Sequence, residues 1–306
     1  MEPLVPDREE WFQSQHGFPR PDWDGIEDFI LSTVEDRRMD EAWATAAKHW
    51  LTRNGIAGEL ELAESDHFFL LGPFGPDECA RMLDVAENAY QRLSSYLEIR
   101  ANPHYGKIAV FRFVDSLAYY SYVAAFYEAE QPIPESRGIY VNVGLPHLVC
   151  FAVEEEEFAP ILMHELAHLL AFHLPLPRWV DEGFAMLMAK DKGLDESLAE
   201  DFAEHQEFWT RETIKRFWSG ELFDEAEDAG RLCYALAARL FDTIQNELQA
   251  PAHALRSFLE HASCDDSGAS AARKYLRADL GELVEFVLGP GEWRPEGGLK
   301  TWRQIG

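Results

Sequence analysis

The chain has 306 residues, 47% of them hydrophobic, which is enough to bury one large core or two modest ones. Its 27 Lys and Arg against 55 Asp and Glu give a formal net charge of −28. So large an excess of acidic groups is repelled by nucleic-acid phosphates and anionic membrane surfaces, and we expect neither as a partner. The same charge favours solubility, and it would also attract cationic or amine-bearing substrates.

The cysteines and the apolar runs indicate a cytoplasmic protein. Cys79, Cys150, Cys233 and Cys264 form no CxxC pair, and the first three sit in apolar patterns typical of core positions. The first residues lack the basic segment and apolar run of a secretory leader. No uninterrupted apolar stretch approaches the ~18 residues of a membrane-spanning helix.

The first 56 residues predict an N-terminal helical extension, with helices near 24–35 and 39–53. The following residues, 57–155, predict a β-rich subdomain with one long helix that starts at Pro76. The strands of this subdomain are expected as a pair within 57–72 and then at 107–114, 138–143 and 147–153.

From about residue 156 to residue 306 the pattern is helical. The candidate helices are 158–173, 180–191, 198–218, 226–249, 252–262, 268–277 and 280–288. Strands with one helix come first and helices alone follow, an order that predicts an α+β fold rather than alternating βαβ units.

One helical segment carries residues that can bind a metal. The motif His-Glu-Leu-Ala-His occupies residues 164–168. On a helix, His164 and His168 stand on one face, where two imidazoles can bind one Zn²⁺. Glu165 lies about a quarter turn away, so it can reach a metal-bound water but is not the natural third ligand. By chance the motif arises in roughly one such chain in ten or twenty, and the alternative is a helix with two partly buried histidines.

A second segment, Trp-Val-Asp-Glu-Gly-Phe-Ala at residues 179–185, opens the next helical stretch. Glu182 can supply the third protein ligand that a catalytic zinc site needs, and Gly183 allows close backbone approach. If the two helices pack together, Glu165 and Glu182 would repel by about 3 kcal/mol at ~5 Å and an effective dielectric near 20. A bound Zn²⁺ would remove that repulsion. The alternative for Glu182 is a solvated acid in the first turn of a helix.

Together the two motifs resemble those of the gluzincin metallopeptidases. The second is similar to the motif of the aminopeptidase N family, in which the Glu of the Glu-Gly pair is the third zinc ligand. The short gap between the motifs and the short chain are similar to the smaller thermolysin-like peptidases of the same clan. The resemblance implies a mixed sheet with helices, then an active-site helix, then a mainly helical C-terminal half. It departs in one respect, because the exopeptidase motif Gly-Ala-Met-Glu-Asn is missing; residues 138–142 read Gly-Ile-Tyr-Val-Asn instead.

The resemblance also implies a reaction, the hydrolysis of peptide bonds by a zinc-activated water with Glu165 as general base. Relatives carry a Tyr on a later helix whose hydroxyl stabilises the oxyanion, and Tyr234 sits at a comparable place. A core tyrosine is the alternative for Tyr234. The strand at 138–142 would bind an extended peptide or protein substrate by main-chain hydrogen bonds.

The two motifs bear on three other interpretations of the chain. A metzincin site would need Gly and His where the chain has Ala171 and Leu174, and His173 is more typical of a helix end than of a ligand. A catalytically silent zinc protein that binds peptides or regulates would not need the general base Glu165. A structural α+β protein with a chance motif would not need Glu182 at its position.

Overall fold

The computed structural model describes residues 4–98, 106–127, 136–190, 205, 207–225 and 228–296. The chain divides between Leu169 and Leu170 into two compact units. Within the described residues the architecture is mixed α and β, with a five-stranded sheet, a two-stranded sheet and many helices. The expectation of an α+β fold is therefore confirmed at this level.

The first unit begins with a hairpin that the sequence pattern did not predict. Strands β1 (Phe12–Gln15) and β2 (Phe18–Pro21) are antiparallel. His16 and Gly17 join them, with φ of 49° and 85°. Two consecutive residues with positive φ are what a two-residue type I′ turn requires, and glycine accepts that conformation without steric cost.

The two helices expected in the N-terminal segment are present as α1 (Trp23–Thr33) and α2 (Met39–Gly58). They share one hydrophobic core with the sheet that follows. The ring of Trp50 in α2 lies 5.4 Å from the ring of Trp23 and 5.2 Å from that of Phe111 in the sheet. The segment therefore covers apolar side chains of the sheet and contributes to the same core.

The sheet has the strand order β3-β4-β5-β7-β6. The inner pairs β4–β5 and β5–β7 are parallel, and the outer pairs β3–β4 and β6–β7 are antiparallel. Every residue of β4 and β5 is buried, as in strands that are covered on both faces. All of the expected strands are present: β3 (Glu61–Glu64), β4 (Phe68–Gly72), β5 (Ile108–Phe113), β6 (Gly138–Val141) and β7 (His147–Phe151).

Two helices connect these strands. The long helix α3 (Pro76–Leu97) begins at the expected proline and joins the parallel strands β4 and β5. A short helix, α4 (Ser116–Val123), follows β5 and was not among the predicted elements. Its start is fixed by Asp115, whose side chain accepts a hydrogen bond from the Ala118 N–H.

The last helix of this unit is α5, and the unit boundary falls near its C-terminal end. It spans Glu155–Ala171 and contains Pro160 in its second turn, where the ring removes one backbone hydrogen bond of the helix. The buried Arg112 of β5 donates hydrogen bonds to the carbonyls of Ala152 and Val153, which lead into α5. Its guanidinium is also paired with Glu78 at 2.6 Å. A charge-assisted network thus fixes the chain where α5 begins.

The second unit is helical. Its helices are α6 (Arg178–Ala189), α7 (Arg211–Ser219), α8 (Asp228–Asp242), α9 (Ala252–His261) and α10 (Leu280–Leu288). A short helical turn, Ala269–Ala271, continues into the π-helical turn Ala272–Leu276. The expected helix 198–218 lies partly outside the described residues, and the expected helix 226–249 ends at Asp242 with a π-helical turn after it.

Two sequence expectations about the whole chain can be compared with the structure. Cys79, Cys150 and Cys233 are buried, as their apolar surroundings predicted, and all four cysteines are free thiols. Among the described helices, none combines the length and the apolar character that crossing a membrane demands.

A buried histidine lies beneath the N-terminal helices. His147 of β7 donates from Nδ1 to the Leu145 carbonyl at 2.8 Å, and its Nε2 lies 2.8 Å from the hydroxyl of Tyr122. The ring is therefore a neutral imidazole that accepts the Tyr122 hydrogen bond. Burial, opposed by the Leu145 hydrogen bond and assisted by the charge of Arg20, lowers the pKa of His147 to about 3.

This histidine makes stability depend on pH. Between pH ~6.5 and pH ~3 the unfolded chain binds a proton at His147 that the folded chain refuses, so the free energy of unfolding falls as the pH falls. For His147→Gln, we expect a lower free energy of unfolding than in the parent at pH 7, but a smaller fall of that free energy between pH 7 and pH 5. The fall in the parent should exceed the fall in the variant by ~2 kcal/mol, as measured by urea unfolding at both pH values. Equal falls in the two proteins would mean that His147 binds a proton in the folded protein as readily as in the unfolded chain.

Candidate metal centre

The two histidines of the first motif lie on one face of α5. Their rings are 4.8 Å apart at an interplanar angle of 78°, and the two Nε2 atoms are 3.1 Å apart. This follows from the helix alone, because residues four apart lie one above the other. Without a metal the short contact is a hydrogen bond from one ring N–H to the lone pair of the other ring.

The structure brings Glu182 to the same place. One ligand atom each from His164, His168 and Glu182 can be chosen so that all three lie within 4.8 Å of one another. A tetrahedral zinc with bonds of ~2.0–2.1 Å would separate neighbouring ligand atoms by ~3.4 Å. The histidine pair already has about this separation.

The chemistry of the three donors fits a divalent cation. Two imidazoles and one carboxylate are the ligands of one common type of catalytic zinc site, which leaves a fourth position for water. His168 and Glu182 are 7% and 3% exposed. A buried carboxylate is costly unless a cation or hydrogen bonds compensate its charge. These three residues could therefore hold a metal, and the donor set agrees with zinc without excluding other divalent ions.

The expected general base, Glu165, is buried on α5 and faces the start of strand β6. A Cβ built on Gly138 would lie 2.5 Å from Oε1 of Glu165 and 2.8 Å from its Cγ. The side chain of Glu165 therefore occupies space that only a glycine leaves open. Burial, together with the charge of Glu165, raises the pKa of the Tyr119 hydroxyl and of the Cys150 thiol.

The glycine of the second motif has a packing role. A Cβ on Gly183 would lie 2.4 Å from the ring of Phe241 and 2.9 Å from the carbonyl oxygen of Ala237, both on α8. Helices α6 and α8 thus approach each other so closely that no larger residue fits. Trp179, completely buried on α6, donates its indole N–H to the Ser267 carbonyl at 2.9 Å. These contacts fix the helix on which Glu182 lies.

Tyr234 lies on α8 and is in contact with the carboxylate of Glu182. Its hydroxyl donates to Oε1 of Glu182 at 3.4 Å and lies 3.5 Å from the guanidinium of Arg178. Its ring packs edge-on against Phe223, with centroids 5.3 Å apart. The hydroxyl therefore lies close to the third donor, while the ring packs against an apolar side chain of the helical unit.

Two residues of this region were missed by the sequence interpretation. Arg178 forms an ion pair with Glu182 at 3.1 Å, and the signal was their spacing of four on one helix. Gly138 was read only as part of a strand, and its contact with Glu165 has no local signal. His173, by contrast, lies exposed in the turn after α5, as expected for a histidine near a helix end.

Comparison with known proteins adds no family to this description. No family model matches the chain, and no curated protein is significantly similar to it.

Proposed function

We propose that the chain is a zinc-dependent peptidase of the gluzincin type. The observation that carries the proposal is the convergence of His164, His168 and Glu182 beside a helix that also carries Glu165. These donors come from the two motifs that resemble those of gluzincins. The order of the fold, a mixed sheet, then α5, then helices, is consistent with the same interpretation.

The three donor residues would hold the metal, and Glu165 would act on the water. When bound, zinc makes a water acidic near neutral pH and polarises a carbonyl oxygen. Glu165 takes the proton of the attacking water and later gives it to the leaving amine. Its buried position beside Gly138 keeps bulk water from competing for that proton.

An extended peptide would bind along strand β6. Among the strands that the structure describes, this one is the last in the order of the sheet, and it runs antiparallel to β7. An outermost strand offers main-chain donors and acceptors that can pair with another extended chain. Because Gly138 of β6 touches Glu165, a peptide paired with this strand would have its backbone near the general base. The net charge of −28 favours peptides that carry basic residues.

The decisive experiment combines zinc content with the substitution Glu165→Gln. We expect about one zinc per chain in the parent and in the variant, because Glu165 is not a ligand. Turnover on a peptide library, read by mass spectrometry, should fall by several orders of magnitude, because the amide cannot accept the water proton. Glu156→Gln, which removes an exposed charge from the same helix, is the matched control and should change neither quantity.

Two further variants complete this experiment. His164→Ala and Glu182→Ala should each lose most of the zinc. Full zinc occupancy in Glu182→Ala would remove that residue from the ligand set. A parent that holds zinc but cleaves no peptide would favour a silent binding protein, and a parent that holds no zinc would leave the motif without a metal role.

Substitution of Gly138 tests the position of the general base. In Gly138→Ala the added methyl group would collide with Glu165 and also lie 2.8 Å from Ile161, so the carboxylate must move. A misplacement of ~1 Å can cost ~10²-fold in rate, and we expect a loss of this order in kcat with zinc retained. The control is Gly75→Ala, where an added Cβ meets nothing within 4 Å. A kcat for Gly138→Ala within twofold of the parent would show that Glu165 does not act from this position.

Tyr234→Phe tests the oxyanion role. An oxyanion donor acts only in the transition state, so its removal should lower kcat by ~10²–10³-fold and leave zinc content and folding unchanged. Tyr275→Phe, at another partly buried tyrosine of the second unit, should be neutral. A kcat near that of the parent would assign Tyr234 to the core, and the oxyanion partner would then be sought in Tyr140 or in a backbone N–H of β6.

A further inference from the structure

Arg178 forms an ion pair with the third donor. Its guanidinium lies 3.1 Å from Oε1 of Glu182 and 3.5 Å from the hydroxyl of Tyr234, which itself donates to the same oxygen. The arginine side chain is 17% exposed and that of Glu182 only 4%. An ion pair with this little solvent around it is strongly coupled, because water screens it poorly.

The surroundings of Arg178 are acidic. Besides Glu182 and the hydroxyl of Tyr234, the carboxylates of Asp181 and Asp224 act electrostatically on its guanidinium. Asp181 and Glu182 are both buried, so α6 carries two carboxylates that require compensation. Arg178 supplies a positive charge from within the same helix, one turn before Glu182.

A metal at the three donors would supply the same compensation. We infer that Arg178 is the counter-ion of Glu182 in the metal-free protein and that this ion pair opposes metal binding. The inference rests on the proposed metal site. When two cations neutralise one carboxylate, each weakens the electrostatic stabilisation that the carboxylate gives the other. The two cations also repel each other directly. Arg178 therefore keeps the metal-free fold stable and weakens the affinity for the metal.

An alternative role would have the opposite sign. If Arg178 served only to orient Glu182 for the metal, its removal would weaken metal binding about 10–100-fold, as is typical of residues that support ligands. If Arg178 were an ordinary buried ion pair with no link to the metal, its removal would destabilise the metal-free and the metal-bound protein equally. The metal affinity of an Arg178 variant thus separates the three roles.

The test is Arg178→Met, measured with zinc in the full chain. The apparent melting temperature of the chelator-treated protein should fall by roughly 5–10 °C, because the buried carboxylate of Glu182 loses the ion pair at 3.1 Å. The zinc-loaded variant should fall much less. The dissociation constant for zinc, from competition with a chromophoric chelator, should decrease about tenfold, within the range usual for coupling between two ligands.

Two controls make each outcome decisive. Arg178→Lys keeps a cation and should keep most of the opposition to zinc. Arg178→Gln, which removes the charge but keeps a hydrogen-bond donor, replaces Arg178→Met if the latter does not fold without metal. Arg112→Met removes another buried arginine paired with a glutamate, and should destabilise both forms equally. Weaker or unchanged zinc binding in Arg178→Met overturns the inference alone. A parent that gains no stability from zinc overturns the proposed metal site and the inference with it.

Discussion

The burial of negative charge is the constraint on which this structure depends. Glu165, Asp181 and Glu182 are each at most 7% exposed, in a chain that already carries a net charge of −28. Each of these carboxylates loses most of its hydration on folding, which costs several kcal/mol unless nearby groups compensate it. Arg178 and the hydroxyl of Tyr234 provide part of the compensation for Glu182. An arrangement this costly is typical of functional sites, because an ordinary core would use apolar residues there.

The sequence predicted the parts of the site that depend on local helical geometry. The separation of His164 and His168 follows from a spacing of four residues on one helix, whatever the rest of the chain does. Helix and strand positions in most of the chain likewise followed from hydrophobic period and from proline at a helix start. The hairpin β1–β2 was missed although His16-Gly17 is a plausible type I′ turn, because the surrounding residues lack clear alternation.

What the sequence did not predict depends on contacts between distant segments. The close packing of Glu165 against Gly138 joins residues that are far apart in the chain, and no local sequence pattern predicts it. Likewise, Trp50 of α2 packs against Phe111 of the sheet, and neither segment carries a local pattern that predicts this contact. Large aromatic residues such as these bury much area wherever they find a partner, so their contacts are set by the tertiary fold.

The two glycines explain how buried carboxylates can be placed with accuracy. Gly183 lets α6 approach α8 until the helix backbone meets Phe241, and Gly138 lets the side chain of Glu165 lie against strand β6. In both places close packing fixes the position of a buried acid: the side chain of Glu165 itself, and the helix that carries Glu182. Packing of this kind is rigid, because a dense interior cannot yield by even one methyl group without cost.

The donors of the candidate metal centre are held in place in different ways, and this decides which of them is held least firmly. The histidine pair is fixed by one helix, so any conditions that preserve α5 preserve the pair. The position of Glu182 depends instead on the packing of α6 at Gly183 and on the ion pair with Arg178. A disturbance of the second unit would therefore affect the carboxylate donor before the imidazole donors. Two imidazoles alone bind a divalent ion less tightly than the full set, so the integrity of the helical unit decides how firmly a metal would be held.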